Sequence, residues 1–327
     1  MSQPEPARPT WSVMIPTYNP TEHLRIALES VLEAQRRLGE PMQIEVVDDA
    51  SPAVDVAALV AGWGLHGVTI FRREANGGLA ACWNDCVERA TGELIHLLHQ
   101  DDFVAPLFYR RMDDAATRFP QAGMLFCRNV FLVGDKSHLS GEELPETALV
   151  DRWLERICTS QRVQCPAVVL RRSTYARVGG FNPALRWVID WEMWIRVALA
   201  TPVVYVAEAL ATYRVHAGAE THRLKNSAVM VDDLALGLHH IRKVLTRAKR
   251  KDCIRSVTRF VWRASGDVAA DAHSRGRPDL ARHELAASLR KFGALVGPRL
   301  VFERLRWYMF VRSDPASVQL PASGGDR

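Results

Sequence analysis

Two aspartates, Asp101 and Asp102, follow the apolar run Leu94-Ile95-His96-Leu97-Leu98. A carboxylate pair at the end of a buried strand is costly unless a cation sits on it. A divalent metal holding a phosphate-bearing ligand meets that need. Three other clusters follow apolar runs in the same way: Thr17-Tyr18-Asn19, Asp48-Asp49 and Asn76-Gly77-Gly78. In open parallel sheets ligands sit at the carboxyl ends of the strands, so the four clusters should converge on one edge. Turn chemistry alone accounts well for Asn76-Gly77-Gly78. It accounts less well for two separate Asp-Asp pairs.

The elements that must carry these clusters are legible as an alternation. Residues 12–17, 43–47, 68–71 and 93–98 read as short buried strands. Helices are expected over 21–38, where Leu24, Leu28, Val31 and Leu32 share one face, then up to about 61, over 79–90, and after Pro106. This β-α-β-α order predicts an α/β fold with a mostly parallel sheet flanked by helices. Further on, strands are expected within 124–133, 166–170, 203–206 and 210–215, and helices over 151–159, 173–178 and 190–199. From about residue 221 the chain reads as helix, with breaks near 274–278 and at Gly297-Pro298. The expected division is a catalytic domain at 1–220 and a mainly helical basic region at 221–327.

Composition narrows the class. The 327 residues are 48% hydrophobic and 24% charged, which is globular and long enough for two domains. Six cysteines form no CxxC pair, so thiols in a reducing compartment are the simplest reading. Met1-Ser2-Gln3-Pro4-Glu5-Pro6 has neither the basic nor the apolar region of a signal peptide. A cytoplasmic protein is expected, with membrane contact only at a surface, at the inner face of the cell membrane. Charge is uneven: residues 235–312 hold 18 Lys/Arg against 6 Asp/Glu, a local net of +12. Within that stretch Arg299, Arg304 and Arg306 interleave with Phe302, Leu305, Trp307, Tyr308 and Met309. Such a segment suits either a membrane interface or a helix packed with one basic face in solvent. No nucleic-acid motif is present, and the rest of the chain is acidic.

The chain resembles a family 2 glycosyltransferase of the GT-A, Rossmann-like fold. The resemblance rests on Val13-Met14-Ile15-Pro16-Thr17-Tyr18-Asn19, Val46-Val47-Asp48-Asp49-Ala50-Ser51, Asn76-Gly77-Gly78-Leu79-Ala80-Ala81 with Asn84, and Gln100-Asp101-Asp102. Arg171-Arg172, Gly179-Gly180-Phe181-Asn182, Ile189-Asp190-Trp191-Glu192 and Tyr213-Arg214-Val215-His216 continue it in order. It covers about 12–220 and not the tail. The resemblance implies a nucleotide-diphosphate sugar donor, a glycan or lipid-linked acceptor, hexosyl or deoxyhexosyl transfer, and a place in bacterial cell-surface polysaccharide synthesis. It implies that Asp49 accepts hydrogen bonds from the nucleoside, that Pro16, Thr17 and Tyr18 line its pocket, and that Asn76 and Gly77 approach the nucleotide. Asp102 would bind Mg²⁺ or Mn²⁺, His216 would complete the metal or phosphate contacts, and Asp101 would reach the ribose or donor sugar.

Asp190 is the expected base. Transfer to a hydroxyl needs a carboxylate that takes its proton, and a single carboxylate without a nucleophilic partner fits inversion. Asp190 also opens an apolar helix and so reads equally as an N-cap. Trp187, Trp191 and Glu192 are the expected acceptor contacts, although large aromatics are more often core. One position departs from the family: His99 stands where an acid is usual. It is the one feature favouring a rival reading, a degenerate transferase kept as a nucleotide-sugar-binding scaffold.

Overall fold

The computed structural model of the chain describes residues 10–141 and 144–313. Its first half alternates as the apolar runs require. Strand β1 (Trp11–Thr17) buries all seven of its residues. Helix α1 (Glu22–Leu38) starts where the Thr21 hydroxyl accepts from the His23 N–H and stops at Gly39, φ 82°. Only a residue without Cβ adopts that angle freely. Leu24, Leu28 and Val31 form its buried face. Next come β2 (Met42–Asp48), α2 (Val56–Gly62), β3 (Thr69–Arg72), α3 (Leu79–Arg89) and β4 (Leu94–Leu97). The four strands lie in the order β3-β2-β1-β4, all parallel. Their carboxyl ends therefore share one edge, as expected.

Beyond β4 the sheet becomes mixed. The elements are β5 (Phe103–Val104), α4 (Phe108–Arg118), β6 (Met124–Val133), β7 (Lys136–Ser140), β8 (Ala148–Leu149), α5 (Trp153–Ile157), β9 (Val168–Arg171), α6 (Arg172–Val178), α7 (Ile189–Ala200) and β10 (Val203–Val215). The full order is β3-β2-β1-β4-β9-β6-β10-β5, with β7 on β6 and β8 on β10. β9 runs antiparallel to both β4 and β6, whereas β10 is parallel to β6. Two expectations are corrected. The two strands expected over 203–215 are one, β10, interrupted by register shifts between Val206 and Ala211. Pro166 lies in a 3₁₀ turn, Cys165–Ala167, and the strand begins at Val168. The short β5 and the hairpin strand β7 carry too few apolar residues to show a period.

β5 and β10 fix the geometry of the acidic loop after β4. They pair antiparallel, with Ala211 opposite Val104 and Thr212 opposite Phe103. That register lays the end of β10 beside Asp101 and Asp102.

The chain divides into two compact units: Met1–Ile157 with Gln161–His216, and Cys158–Ser160 with Ala217–Arg327. The second is helical: α8 (Glu220–Lys225), α9 (Met230–Arg247), α10 (Lys251–Ser274), α11 (Pro278–Phe292) and α12 (Pro298–Ser313). The breaks at 274–278 and 297–298 fall between helices. A third, between α9 and α10, falls at Lys249, φ 56°. All six cysteines are free and buried. Among the described residues no helix is long and apolar enough to cross a membrane.

Gly92 sets the entry to β4. Its N–H donates to Ser12 Oγ at 2.7 Å, and a Cβ there would lie 2.5 Å from the Trp11 carbonyl carbon. Backbone on both sides leaves no cheap relaxation. Gly92→Ala should therefore destabilise the protein by about 1–3 kcal/mol, read as a lower midpoint in urea unfolding.

Candidate active site

The two acidic pairs meet different partners. Asp48 ends β2 opposite Arg72, which ends β3, and Asp49 and Arg73 follow them. Asp48 Oδ2 accepts from Arg72 at 2.6 Å, and its Oδ1 accepts from the Ser51 hydroxyl and N–H. Asp49 pairs with Arg73 and accepts from the N–H groups of Gly77 and Gly78, each at 2.9 Å. Arg73 also donates to Asp85 at 2.5 Å. The Asp49 carboxylate is buried and shapes the Asn76-Gly77-Gly78 turn, accepting from two amides and a guanidinium. Asn76 adds a bond to the Asp49 carbonyl, 3.2 Å. Asn76 and Gly77 themselves are exposed.

The end of β1 is fastened to the second acidic pair through Gln100. Its Oε1 accepts from the Thr17 hydroxyl and from the Tyr18 N–H, and its Nε2 donates to the Tyr18 carbonyl at 3.3 Å. Pro16 and Thr17 are buried, and the Thr17 hydroxyl is committed to Gln100. Tyr18 is 43% exposed. Asn19 and Ala50, just past β1 and β2, hold φ of 46° and 56°. Such backbone in non-glycine residues clusters at functional sites.

Asp101 and Asp102 meet no arginine or lysine side chain in an ion pair among the described residues. Asp102 Oδ1 accepts from the Arg214 N–H at 2.9 Å, and Oδ2 lies 3.3 Å from His99 Nδ1. Asp102 is 1% exposed, and burial pushes its carboxyl up to about 6. Asp101 Oδ2 contacts His216 Nε2 at 2.9 Å. Burial alone would raise Asp101, but the His216 hydrogen bond and the charge on His99 outweigh it and leave it lowered. The same hydrogen bond raises His216. His216 thus sits on Asp101 while the Arg214 N–H sits on Asp102, because Arg214 and His216 alternate at the end of β10. Ligand atoms of His99, Asp101 and Asp102 lie within 4.8 Å of one another, the spacing of a cation site. Asp102 Oδ2 is buried and accepts no hydrogen bond among the described residues. Hard carboxylate oxygens beside an imidazole suit Mg²⁺ or Mn²⁺.

Asp190 lies in the first turn of α7, where Val188 is the N-cap residue, so the capping role expected of Asp190 is not taken up. Its Oδ2 accepts from Gln161 Nε2 and its Oδ1 from the Trp191 N–H, both at 2.7 Å. Burial raises it to about 6 despite those bonds. The charge on His99 acts on both Asp190 and Asp102, which puts all three in one electrostatic neighbourhood. The expected acceptor contacts fare differently. Trp191 is buried and donates to the Ile157 carbonyl at 2.8 Å, as a core residue. Glu192 is 3% exposed and grips Arg196 through both oxygens, at 2.9 and 3.0 Å. Helical geometry explains both: successive positions point about 100° apart, so the two residues after Asp190 turn into the core. Trp187 is half-buried.

Residues 12–161 match the family Glycosyl transferase family 2. An uncharacterized protein of Mycobacterium tuberculosis is 30% identical over 236 residues, 67% of this chain and 71% of that protein. The chain belongs to glycosyl transferase family 2. An uncharacterized glycosyltransferase of Rickettsia prowazekii is 21% identical, over 70% of this chain and 71% of its own length. A second M. tuberculosis protein, 27% identical, is spanned over only 59% of its length. The fold matches S. aureus TarS 1–349 in complex with UDP-GlcNAc, TM-score 0.65 and 17% identity, over 93% of this chain and 87% of that one. It also matches a mannosyltransferase of Pyrobaculum calidifontis in complex with GDP-Man and Mn²⁺, TM-score 0.53 and 16% identity, over 95% and 82%. The fold is therefore that of GT-A glycosyltransferases.

Within this family 2 chain, the sequence alone assigns no role to Gln100, Arg73, Gln161 or Arg214. Arg73 is traceable, since two arginines end the strand beside one that ends in two aspartates. Gln161 and Arg214 act across long sequence separations and leave no local signal. The Glu192–Arg196 pair gives a test. Glu192→Ala leaves the Arg196 charge largely buried, and such a loss costs about 3–5 kcal/mol. A clear drop in Tm is expected, with nucleotide binding by the folded protein unchanged.

Proposed function

We propose that this chain is an inverting, metal-dependent transferase. It moves a hexosyl or deoxyhexosyl group from a nucleotide-diphosphate sugar to a hydroxyl of a glycan or lipid-linked acceptor, in bacterial cell-surface polysaccharide synthesis. The observation that carries this reading is the contact of Asp101 with His216 beside Asp102, at the carboxyl edge of the sheet and in the electrostatic reach of Asp190. The complexes of the structural neighbours, one with UDP-GlcNAc and one with GDP-Man and Mn²⁺, support it.

Asp102 and His216 would hold the metal, with Asp101 beside them: Asp101 and His216 keep partly exposed side chains, and Asp102 Oδ2 accepts no hydrogen bond among the described residues. The other oxygen of Asp102 is fixed by the Arg214 amide. Bound there, Mg²⁺ or Mn²⁺ supplies charge neutralisation for the departing diphosphate. Tyr18, Asn76 and Gly77 are exposed at the neighbouring strand ends and are proposed to meet the nucleoside, with Asp49 holding the turn from beneath. Asp190 takes the acceptor proton while the hydroxyl attacks the sugar carbon from the face opposite the diphosphate. A carboxyl raised to about 6 is mostly ionised at pH 7, yet more basic than an ordinary aspartate. Gln161 orients it by donating to the oxygen that does not face Trp191. His99 does not block this arrangement. It stacks on Trp83, with centroids 5.0 Å apart, and its Nδ1 lies 3.3 Å from Asp102 Oδ2, within the same cluster of ligand atoms.

Asp190→Asn tests the base directly. It should leave donor affinity unchanged and lower kcat for transfer by at least about 100-fold. Transfer retained near wild type would exclude Asp190 from that role. In the wild type the base must be ionised, so kcat should fall as pH drops through about 6. A pH–rate profile flat from neutrality down through that value would contradict the assignment.

A further inference from the structure

His23 lies at the ligand edge of the sheet without belonging to any of the four polar clusters. It stands in the first turn of α1, just behind Thr17-Tyr18-Asn19. Two bonds fix that helix. The Thr21 hydroxyl accepts from the His23 N–H at 3.4 Å, and Ser30 Oγ, two turns on, accepts from the Val104 N–H of β5 at 3.2 Å. α1 is thereby tied to the strand that pairs with β10. The His23 ring meets the His216 ring edge to face, with centroids 4.9 Å apart and an interplanar angle of 70°. Both side chains are half-buried. Such ring pairs favour this geometry because the positive edge of one ring meets the negative face of the other.

His216 needs such a support. It lies one residue past β10, outside the ladder that β10 forms with β6. Its Nε2 is bound to Asp101, and its other ring nitrogen makes no hydrogen bond among the described residues. A single hydrogen bond fixes one point of an imidazole and leaves the ring free to swing about it. Metal-ligating histidines are ordinarily held at the second nitrogen for this reason. Here a packed ring stands in for that second bond. We infer, on the reading that His216 holds the metal, that His23 is a positioning residue: it keeps the His216 ring turned towards the cation, and it acts through packing. The His23 side chain itself makes no hydrogen bond or ion pair among the described residues, so the ring contact is what ties it to the site. A His23 nitrogen reaching the donor phosphates is the rival role, and replacing the ring by one without nitrogens separates the two.

The test is Mn²⁺ binding by the full chain, followed as loss of the free-ion EPR signal, alone and with each of UDP, GDP, dTDP and CMP. His23→Ala should weaken Mn²⁺ binding by about three- to tenfold, the scale of one aromatic pair, with an unchanged thermal melt. His23→Phe restores the ring without its nitrogens and should bind within about twofold of wild type. His216→Ala should lose more, and adding His23→Ala to it should cost nothing further, because the partner ring is gone. Wild-type affinity in His23→Ala, beside a loss in His216→Ala, overturns the inference and leaves the metal reading standing. Equal losses in His23→Ala and His23→Phe overturn it too, and give the His23 nitrogens a direct contact with the ligand. No loss in His216→Ala, or no Mn²⁺ uptake by the wild type in any of these mixtures, removes the metal reading and the inference with it.

Discussion

Everything at the candidate site depends on where the negative charge of Asp101 and Asp102 is balanced. Two adjacent carboxylates at the end of a buried strand repel each other and lose hydration. The chain meets the same problem twice and answers it differently. At β2 it places an arginine opposite each aspartate, Arg72 on Asp48 and Arg73 on Asp49, and the pair becomes scaffolding. After β4 it supplies one backbone amide and two histidines. Histidine is a partial and pH-dependent counter-charge. The second pair therefore keeps an unmet need for a cation, and that need is the physical basis of the functional reading.

The mixed half of the sheet follows from that requirement. β10 lies between β6 and the two-residue β5, so that the Arg214 amide and the His216 ring arrive two residues apart beside the aspartates. The register shifts in β10 fall before this segment. Gln100 then ties the same loop to the end of β1 through the Tyr18 backbone. The ends of β1 and β4 are in this way one hydrogen-bonded unit, not two independent loops.

Much of this is legible in the sequence. The four parallel strands and their helices declare themselves through buried apolar runs and helical spacing, and the polar clusters at their ends follow by topology. Asp101, Asp102, His216 and Asp190 all stand out by residue type and position. What sequence does not supply is direction. Whether Asp49 faces a ligand or its own turn depends on two amides 28 and 29 residues away. Whether Trp191 and Glu192 face an acceptor or the core depends on the rotation of α7, whose apolar residues surround it. Which aspartate receives His216 depends on the β5–β10 register, and β5 is too short to carry a pattern.

The most direct measurement of the central claim is calorimetric titration of UDP, GDP, dTDP and CMP sugars into wild type and Asp101→Asn, each with Mn²⁺ and with EDTA. One nucleotide sugar should bind the wild type far more tightly with Mn²⁺ than with EDTA. Asp101→Asn should bind that donor equally weakly in both. A wild-type donor affinity that is the same with and without metal would contradict the claim, and the two aspartates would then need another cation to explain them.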